Sequence, residues 1–208
     1  MFTGIVQGTA VVVAVRELDA FRTHVVEMPS HMRQGLEIGA SVAHNGVCLT
    51  ATAIDGDNVS FDLMRETLRL TNLGAITPGQ CVNIERAARF GDEIGGHAMS
   101  GHVICKARLV EIEEAPNNRR LWFALSKDVS RFVFEKGYIG VDGISLTVAD
   151  VRRVDEHGGV VFSVNLIPET LSRTVLSERM LGDEVNIEID PQTQVIVETV
   201  ERVLANRA

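Results

Sequence analysis

Asn45-Gly46-Val47-Cys48-Leu49-Thr50 reappears 97 residues later as Asp142-Gly143-Ile144-Ser145-Leu146-Thr147. At the same offset, Thr3-Gly4-Ile5-Val6 answers Ser100-Gly101-His102-Val103. Further on the offset grows to 103, where Phe61-Asp62-Leu63-Met64-Arg65-Glu66-Thr67-Leu68 matches Val164-Asn165-Leu166-Ile167-Pro168-Glu169-Thr170-Leu171. Val82-Asn83-Ile84-Glu85 then recurs unchanged as Val185-Asn186-Ile187-Glu188. Four blocks in one order, with six extra residues in the second copy, mark a duplicated module. The period is too long, and the copies too few, for a solenoid. The reading is two similar small domains, 1–97 and 98–189, followed by a tail at 190–208. The junction Gly91-Asp92-Glu93-Ile94-Gly95-Gly96-His97 is Gly-rich, as a linker should be.

Within each module, short β-type runs alternate with turn signals. Ala10–Val15, His24–Glu27, Asn58–Leu63 and Cys81–Glu85 have partners in Arg108–Ile112, Leu121–Leu125, Val160–Leu166 and Glu184–Ile189. Asp55-Gly56-Asp57-Asn58, Pro78-Gly79 and Gly158-Gly159 supply turns. This spacing predicts a small closed barrel or sandwich, all-β in class. Short helices are expected at Ser30–Gly35, Glu66–Leu70, Asp128–Phe134 and Glu169–Leu171. The tail differs. Asp190-Pro191 reads as an N-cap with proline at the first helical position. Ile196, Val200, Val203 and Leu204 then form one apolar stripe. The stripe needs its own barrel or another subunit to cover it. Oligomerisation is favoured, since three such helices can bundle as a short coiled coil.

Composition narrows the function. The chain has 208 residues, with 20 Lys plus Arg against 28 Asp plus Glu, a net charge of −8. That balance argues against nucleic acid as the main partner. At 45% hydrophobic residues the chain is not a disordered one. No apolar run approaches the roughly 20 residues of a spanning helix, and the N-terminus lacks a secretory h-region. Cys48, Cys81 and Cys105 form no CxxC pair, so neither a zinc site nor a disulfide framework is expected. A reducing, cytoplasmic setting fits best. P-loop, GxSxG, HExxH and dinucleotide fingerprints are missing.

A duplicated module duplicates a binding site when the module binds a ligand. Two sites for one small molecule can bring two identical molecules face to face. The copies also differ where chemistry is sensitive: Cys48 becomes Ser145, Asp62 becomes Asn165, and Ile5 becomes His102. If the shared frame is a binding site, the two sites hold a ligand alike and activate it differently, one for a donor and one for an acceptor; duplication for stability alone is the other reading.

The opening Met1-Phe2-Thr3-Gly4-Ile5-Val6, the pair N-G-V-C-L-T and D-G-I-S-L-T, Gly95-Gly96-His97 followed by Ser100-Gly101-His102, and N-I-E-I-D-P-Q-T at 186–193 resemble riboflavin synthase of the alpha-chain type. The resemblance covers nearly the whole chain. It implies two six-stranded Greek-key barrels, a C-terminal helix and a homotrimer. It also implies a dismutation, the last step of riboflavin biosynthesis. Two molecules of 6,7-dimethyl-8-ribityllumazine react, a four-carbon unit moves between them, and riboflavin and 5-amino-6-(D-ribitylamino)uracil result. No metal or organic cofactor is implied. One substrate sits on the N-terminal barrel of one subunit and the other on the C-terminal barrel of a neighbour. Association with lumazine synthase is a further partner that the resemblance raises.

Carried onto this sequence, the resemblance gives a set of site residues. The ribityl polyol needs several hydrogen-bond partners per pocket. Cys48, Leu49, Thr50, Asp62, Leu63, Met64, Arg65, Glu66 and Thr67 are expected around one pocket, and Ser145, Leu146, Thr147, Asn165, Leu166, Ile167, Pro168, Glu169 and Thr170 around the other. The turns Gly4-Ile5-Val6 and Gly101-His102-Val103 can pair the uracil-like edge, and Lys136 falls near the second pocket. Cys48, Ser41, His102 and Thr147 are candidate helpers in proton transfer and nucleophilic addition, with Asp190 as a carboxylate and Phe2 at the pocket lip. Most have a bland alternative: Cys48 a small buried residue, His102 a structural histidine, Thr50 and Thr147 strand ends, Asp190 a helix cap, Phe2 an anchor of the first strand. His44 and His97 read as scaffold. The chief rival is a non-catalytic lumazine-binding antenna protein. Both L-T motifs and both E-T-L segments are intact here, which favours the enzyme. A flavin-dependent reductase would need a nicotinamide-binding domain, and no residues are left over for one.

Overall fold

The computed structural model describes residues 1–19, 21–154 and 159–207. It contains two closed six-stranded antiparallel barrels and a C-terminal helix. The first barrel comprises β1 (Gly8–Glu17), β2 (Phe21–Glu27), β3 (Ser41–His44), β4 (Val47–Asp55), β5 (Asn58–Met64) and β6 (Cys81–Arg86), in the cyclic order β1-β2-β5-β4-β3-β6. The second comprises β7 (Cys105–Ala115), β8 (Asn118–Leu125), β9 (Tyr138–Val141), β10 (Ile144–Arg153), β11 (Val160–Leu166) and β12 (Glu184–Ile189), joined in the same order. Short helices α1 (Ser30–Arg33), α2 (Arg65–Leu70), α3 (Lys127–Ser130) and α4 (Pro168–Arg173) lie in the connections β2–β3, β5–β6, β8–β9 and β11–β12. The tail forms α5 (Pro191–Ala205).

Alternation of side chains builds each barrel. In β4 and β5 the inward positions are Val47, Leu49, Ala51, Val59, Phe61 and Leu63, all part of one buried core. The second core holds Leu109, Leu121, Phe123, Val148, Phe162, Val164 and Leu166. Each such Leu or Phe contributes roughly 1.5–3 kcal/mol by leaving water. The duplication extends to irregularities. Bulges between Val12 and Ala14 and between Ala51 and Ala53 recur at Leu109/Glu111 and Val148/Asp150. The six extra residues fall in the β10–β11 hairpin; its turn residue Gly158 lies outside the described residues.

The barrels meet through a buried polar seam with approximate twofold symmetry. Asn83 Nδ2 donates to the Asp142 carbonyl, and Asn186 Nδ2 to the Asn45 carbonyl, both at 2.9 Å. Gly46 and Gly143 sit back to back, both at positive φ, where a Cβ on either would come within 2.6–2.7 Å of the other's backbone nitrogen. One pair breaks the symmetry. Asp142, fully buried, accepts from Arg179 Nη2 at 2.7 Å and from Asn72 Nδ2 at 2.8 Å, whereas its counterpart is the neutral Asn45. Burial pushes the Asp142 carboxyl upward against these donors.

Asp190 caps α5 as the sequence predicts: its side chain accepts from the Gln192 and Thr193 backbone N–H groups. The tail lies differently from the simplest amphipathic reading. Val197 packs against the second barrel's core, and Arg131 bridges to Glu201 at 3.1 Å. Ile196, Val200, Val203 and Leu204, the expected stripe, are 44–63% exposed. The helix leans on its own barrel by one edge and presents the stripe outward. Among the described residues, no helix is long and apolar enough to cross a membrane.

Candidate functional site

Each repeat lends its N-terminal turn to the other repeat's barrel. Cys48 N donates to the Gly101 carbonyl at 2.9 Å, and Ser145 N to the Gly4 carbonyl at 2.8 Å. Val6 lies in the core of the second barrel, while Val103 packs against the first. A bridge between Phe2 and Met99 ties the two crossing segments together. The turn Gly101-His102-Val103 therefore belongs with Cys48, and Gly4-Ile5-Val6 with Ser145.

Two buried carboxylates hold these turns. Glu85 accepts from Thr3 N (2.6 Å), Thr3 Oγ1 (2.8 Å) and Gly4 N (3.1 Å). Glu188 accepts from Ser100 N (2.6 Å), Ser100 Oγ (2.8 Å) and Gly101 N (3.1 Å). Burial pushes both carboxyls upward, while the hydrogen bonds pull the other way. With the amides committed to carboxylates, the exposed side chains of Ile5 and His102 stand at the tips of two fixed turns. The Ile5 and His102 amides donate to Thr3 Oγ1 and Ser100 Oγ, both at 3.2 Å.

On the outer face of the first barrel a polar row crosses four strands. Ser41 pairs with Thr50, Ala51 pairs with Phe61 and so sets Thr50 beside Asp62, and Asp62 pairs with Thr23. Thr23 Oγ1 donates to Asp62 Oδ1 at 2.6 Å. The second barrel repeats the row as Tyr138, Thr147, Asn165 and Arg120. Cys48 with Met64, and Ser145 with Ile167, fall on the same faces by the two-residue period. That period also corrects part of the expected set. Leu49, Leu63 and Leu166 point into the cores, so only their backbones can face a ligand. Val6 is buried too, and Leu146 packs partly against the second core. Phe2 is 2% exposed in a small cluster with Ala43, Met99 and Cys48, which makes it a wall behind the thiol rather than a lip.

The residues beyond the rows flank them from α2 and α4. Met64 and Ile167 are 58% and 59% exposed. Glu66 pairs with Arg69, and Glu169 with Arg173, on the exposed helix surfaces. Arg65 donates to the Asp19 carbonyl, and Pro168 starts α4. Thr67 and Thr170 give their carbonyls to the hydroxyls of Thr71 and Thr174. Lys136, at φ +67°, donates its amide to Val148 and so lies beside Thr147.

Chemically the two poles differ. Cys48 has the Gly101 turn and Phe2 against it. Ser145 instead has a histidine: His97 Nδ1 lies 2.6 Å from Ser145 Oγ. His97 is 7% exposed and stacks on Tyr138, with ring centroids 5.1 Å apart and planes 19° apart. Burial lowers its pKa below the ordinary histidine value, and the charge of Asp190 partly opposes this. Burial would raise Asp190; hydrogen bonds from Thr193 and Gln192, and His97 itself, outweigh it. Asp190 is thus both the helix cap and the acidic neighbour of His97. Sequence reasoning had assigned His97 to scaffold and did not include Glu85, Glu188 or Tyr138. The unchanged V-N-I-E repeat was the available signal for the glutamates.

A surface pocket of about 860 Å³ is lined by Arg131, Phe134, Arg153 and neighbours, none of them a row residue. One of about 530 Å³ touches Thr3, Ile5 and Glu85. Among the described residues no group of three or more His, Cys, Asp or Glu side chains could hold a metal ion.

The fold and the doubled site define a tandem lumazine-binding protein: residues 3–87 and 100–190 each match the family model of the lumazine binding domain. The riboflavin synthase of Escherichia coli (strain K12) is 59% identical over 208 residues, covering 100% of this chain and 95% of that protein. The riboflavin synthase of Buchnera aphidicola subsp. Schizaphis graminum is 44% identical, covering 98% of this chain and 96% of its own. A crystal structure of LumP complexed with riboflavin superposes with a TM-score of 0.80 at 27% identity, over 91% of this chain and 99% of that one. The chain belongs to the riboflavin synthase family, transferases of riboflavin biosynthesis.

Proposed function

We propose that the chain forms riboflavin by dismutation of two 6,7-dimethyl-8-ribityllumazine molecules, one held on each kind of barrel. The carrying observation is the doubled row, Ser41-Thr50-Asp62 and Tyr138-Thr147-Asn165, set beside chemically unlike poles. Hydroxyls, a carboxylate and an amide suit a ribityl chain. Outward-pointing Ile5, Met64, His102 and Ile167 offer apolar and imidazole surface to a flat ring.

In the second pocket, a neutral His97 with Nδ1 as acceptor draws the Ser145 proton as Ser145 Oγ takes one from the acidic 7-methyl group of the substrate. Asp190 stabilises the imidazolium so formed. The first pocket presents Cys48, with His102 at the edge and Ser41 at the end of its row. It suits the acceptor, to which a nucleophile adds before the four-carbon unit transfers. Lys136 balances negative charge that develops on the ring in the second pocket.

Each row is an open half-site, so the two rows complete one another only when a first barrel faces a second. The exposed stripe Ile196, Val200, Val203 and Leu204 supports assembly of subunits into a homotrimer in which the two faces belong to neighbours. Residues 1–97 and 98–189 then act as the two lumazine-binding units and 190–208 as the oligomerisation helix. The reaction needs no cofactor beyond its two substrates. A cytoplasmic location suits a pathway enzyme of this kind, and association with lumazine synthase would place it beside the source of its substrate. Titration with the lumazine tests the binding scheme: two molecules should bind per chain, and a single site per chain would contradict it.

A further inference from the structure

We infer that Tyr138 is a positioning residue of the second pocket: its ring clamps His97 so that Nδ1 stays on Ser145 Oγ. The inference deepens the reading of that pocket proposed above and rests on it.

Tyr138 opens β9 and pairs with Thr147 across the β9–β10 ladder, so its side chain shares the outer face with the polar row. It is 52% exposed there, although its ring is one of very few aromatic surfaces in the chain. The exposure is one-sided. One ring face lies nearly parallel to the imidazole of His97 at 5.1 Å. A parallel stack limits rotation of the imidazole about its χ angles and keeps water off one face. Three groups face His97 from the elements around it: Tyr138 from β9, Ser145 from β10 and Asp190 from the start of α5. Ser145 fixes one nitrogen, Asp190 favours the charged form, and Tyr138 supplies the cover.

The repeat provides an internal control. At the offset of 97, Tyr138 corresponds to Ser41, and Ser145 to Cys48. The first pocket therefore has a small hydroxyl where the second has a ring. Its thiol sits against Gly101 and Phe2 rather than a stacked imidazole. The aromatic cover and the serine–histidine contact occur together in one pocket, as a positioning role requires.

The full chain carrying Tyr138→Phe or Tyr138→Ser tests this, with kcat, KM and the kcat–pH profile measured on 6,7-dimethyl-8-ribityllumazine. Tyr138→Phe keeps the ring and should keep kcat and the acid limb, while KM reads whatever its hydroxyl contributes to the row. Tyr138→Ser copies the first pocket. It should lower kcat by at least about tenfold, with KM within about twofold, because a loosened catalytic group costs rate more than binding. Its acid limb should move to higher pH, since an uncovered imidazole returns toward its ordinary pKa. Tyr138→Leu, which keeps bulk without a π face, is read in the same way where the serine variant does not fold. A serine or leucine variant with the original kcat and acid limb overturns the role of Tyr138. A phenylalanine variant whose kcat and acid limb change as much as the serine variant's overturns it too, by assigning the effect to the hydroxyl. Failure of the unaltered chain to form riboflavin overturns the underlying site reading instead.

Discussion

Ser145 donates its backbone N–H to the Gly4 carbonyl at 2.8 Å, across the boundary between the two repeats. The bond leaves no space at Gly4, where φ is +73° and a Cβ would meet Ser145 Cβ at 2.5 Å. Gly101 stands in the same relation to Cys48, at φ +79° and 2.6 Å. Alanine at either position is expected to cost about 1–3 kcal/mol through strain and overlap. Gly101→Ala should weaken lumazine binding at the first pocket and Gly4→Ala at the second. Titration calorimetry of each variant should show one of two sites impaired. Equal loss at both sites in each variant would contradict the exchange of turns.

The thiol of Cys48 sits between its turn and the Phe2 cluster, next to the row but not within it. Cys48→Ser should therefore lower turnover with little change in ligand affinity, whereas Thr50→Ala should mainly weaken binding. Fluorescence titration and steady-state rates separate the two. Unchanged turnover in Cys48→Ser would reduce the thiol to packing.

The repeat made much of this site legible. The blocks around Cys48, Asp62 and their counterparts lie on the faces that alternation assigns, and β11 and β12 run between the residues the pattern marked. Two things were hidden. An offset says which positions are equivalent, not which copy touches which, so the exchange of Gly4 and Gly101 between barrels was invisible. His97 lies between the matched blocks, so comparison of copies could not single it out; only the fold brings it to Ser145. The strands β3, β4, β9 and β10 escaped the periodicity reading because β3 and β9 are four residues long, and β4 and β10 begin inside the N-G-V-C-L-T and D-G-I-S-L-T blocks, which read first as ligand motifs. The apolar stripe of α5 was correctly read as a stripe, but packing against the barrel uses Val197 at its edge.

Two histidines lie inside the first barrel. His24 and His44 are fully buried, and none of their four ring nitrogens has a hydrogen-bond partner among the described residues. Burial lowers their pKa values from 6.5 to about 4 and about 3. The folded state thus excludes protons that the unfolded chain binds. Below pH 6.5 stability should fall by up to about 1.4 kcal/mol per pH unit for each ring, and the contribution is lost as pH drops through the folded values. The second barrel has Leu121 and Val141 at the matching positions. His24→Leu with His44→Val should flatten the fall in urea midpoint between pH 6.5 and 4.5. The raised carboxyls of Glu85, Asp142 and Glu188 are common to both proteins and cancel in the comparison. Parallel curves would show that the rings are not the acid-sensitive groups.

The stripe on α5 makes a separate prediction. Ile196→Glu with Val200→Glu places charge on exposed positions, so the single chain should fold as before. Assembly should fail, giving monomers that still bind lumazine but turn over poorly. Sedimentation showing an unaltered trimer would detach the helix from assembly.

The proposed reaction brings two identical molecules together on two unlike faces. The purified protein, supplied with 6,7-dimethyl-8-ribityllumazine alone, tests it most directly. Riboflavin absorbance should grow, with one flavin formed for every two lumazines consumed. Tight binding of the lumazine with no flavin formed would contradict it and leave a binding protein in place of an enzyme.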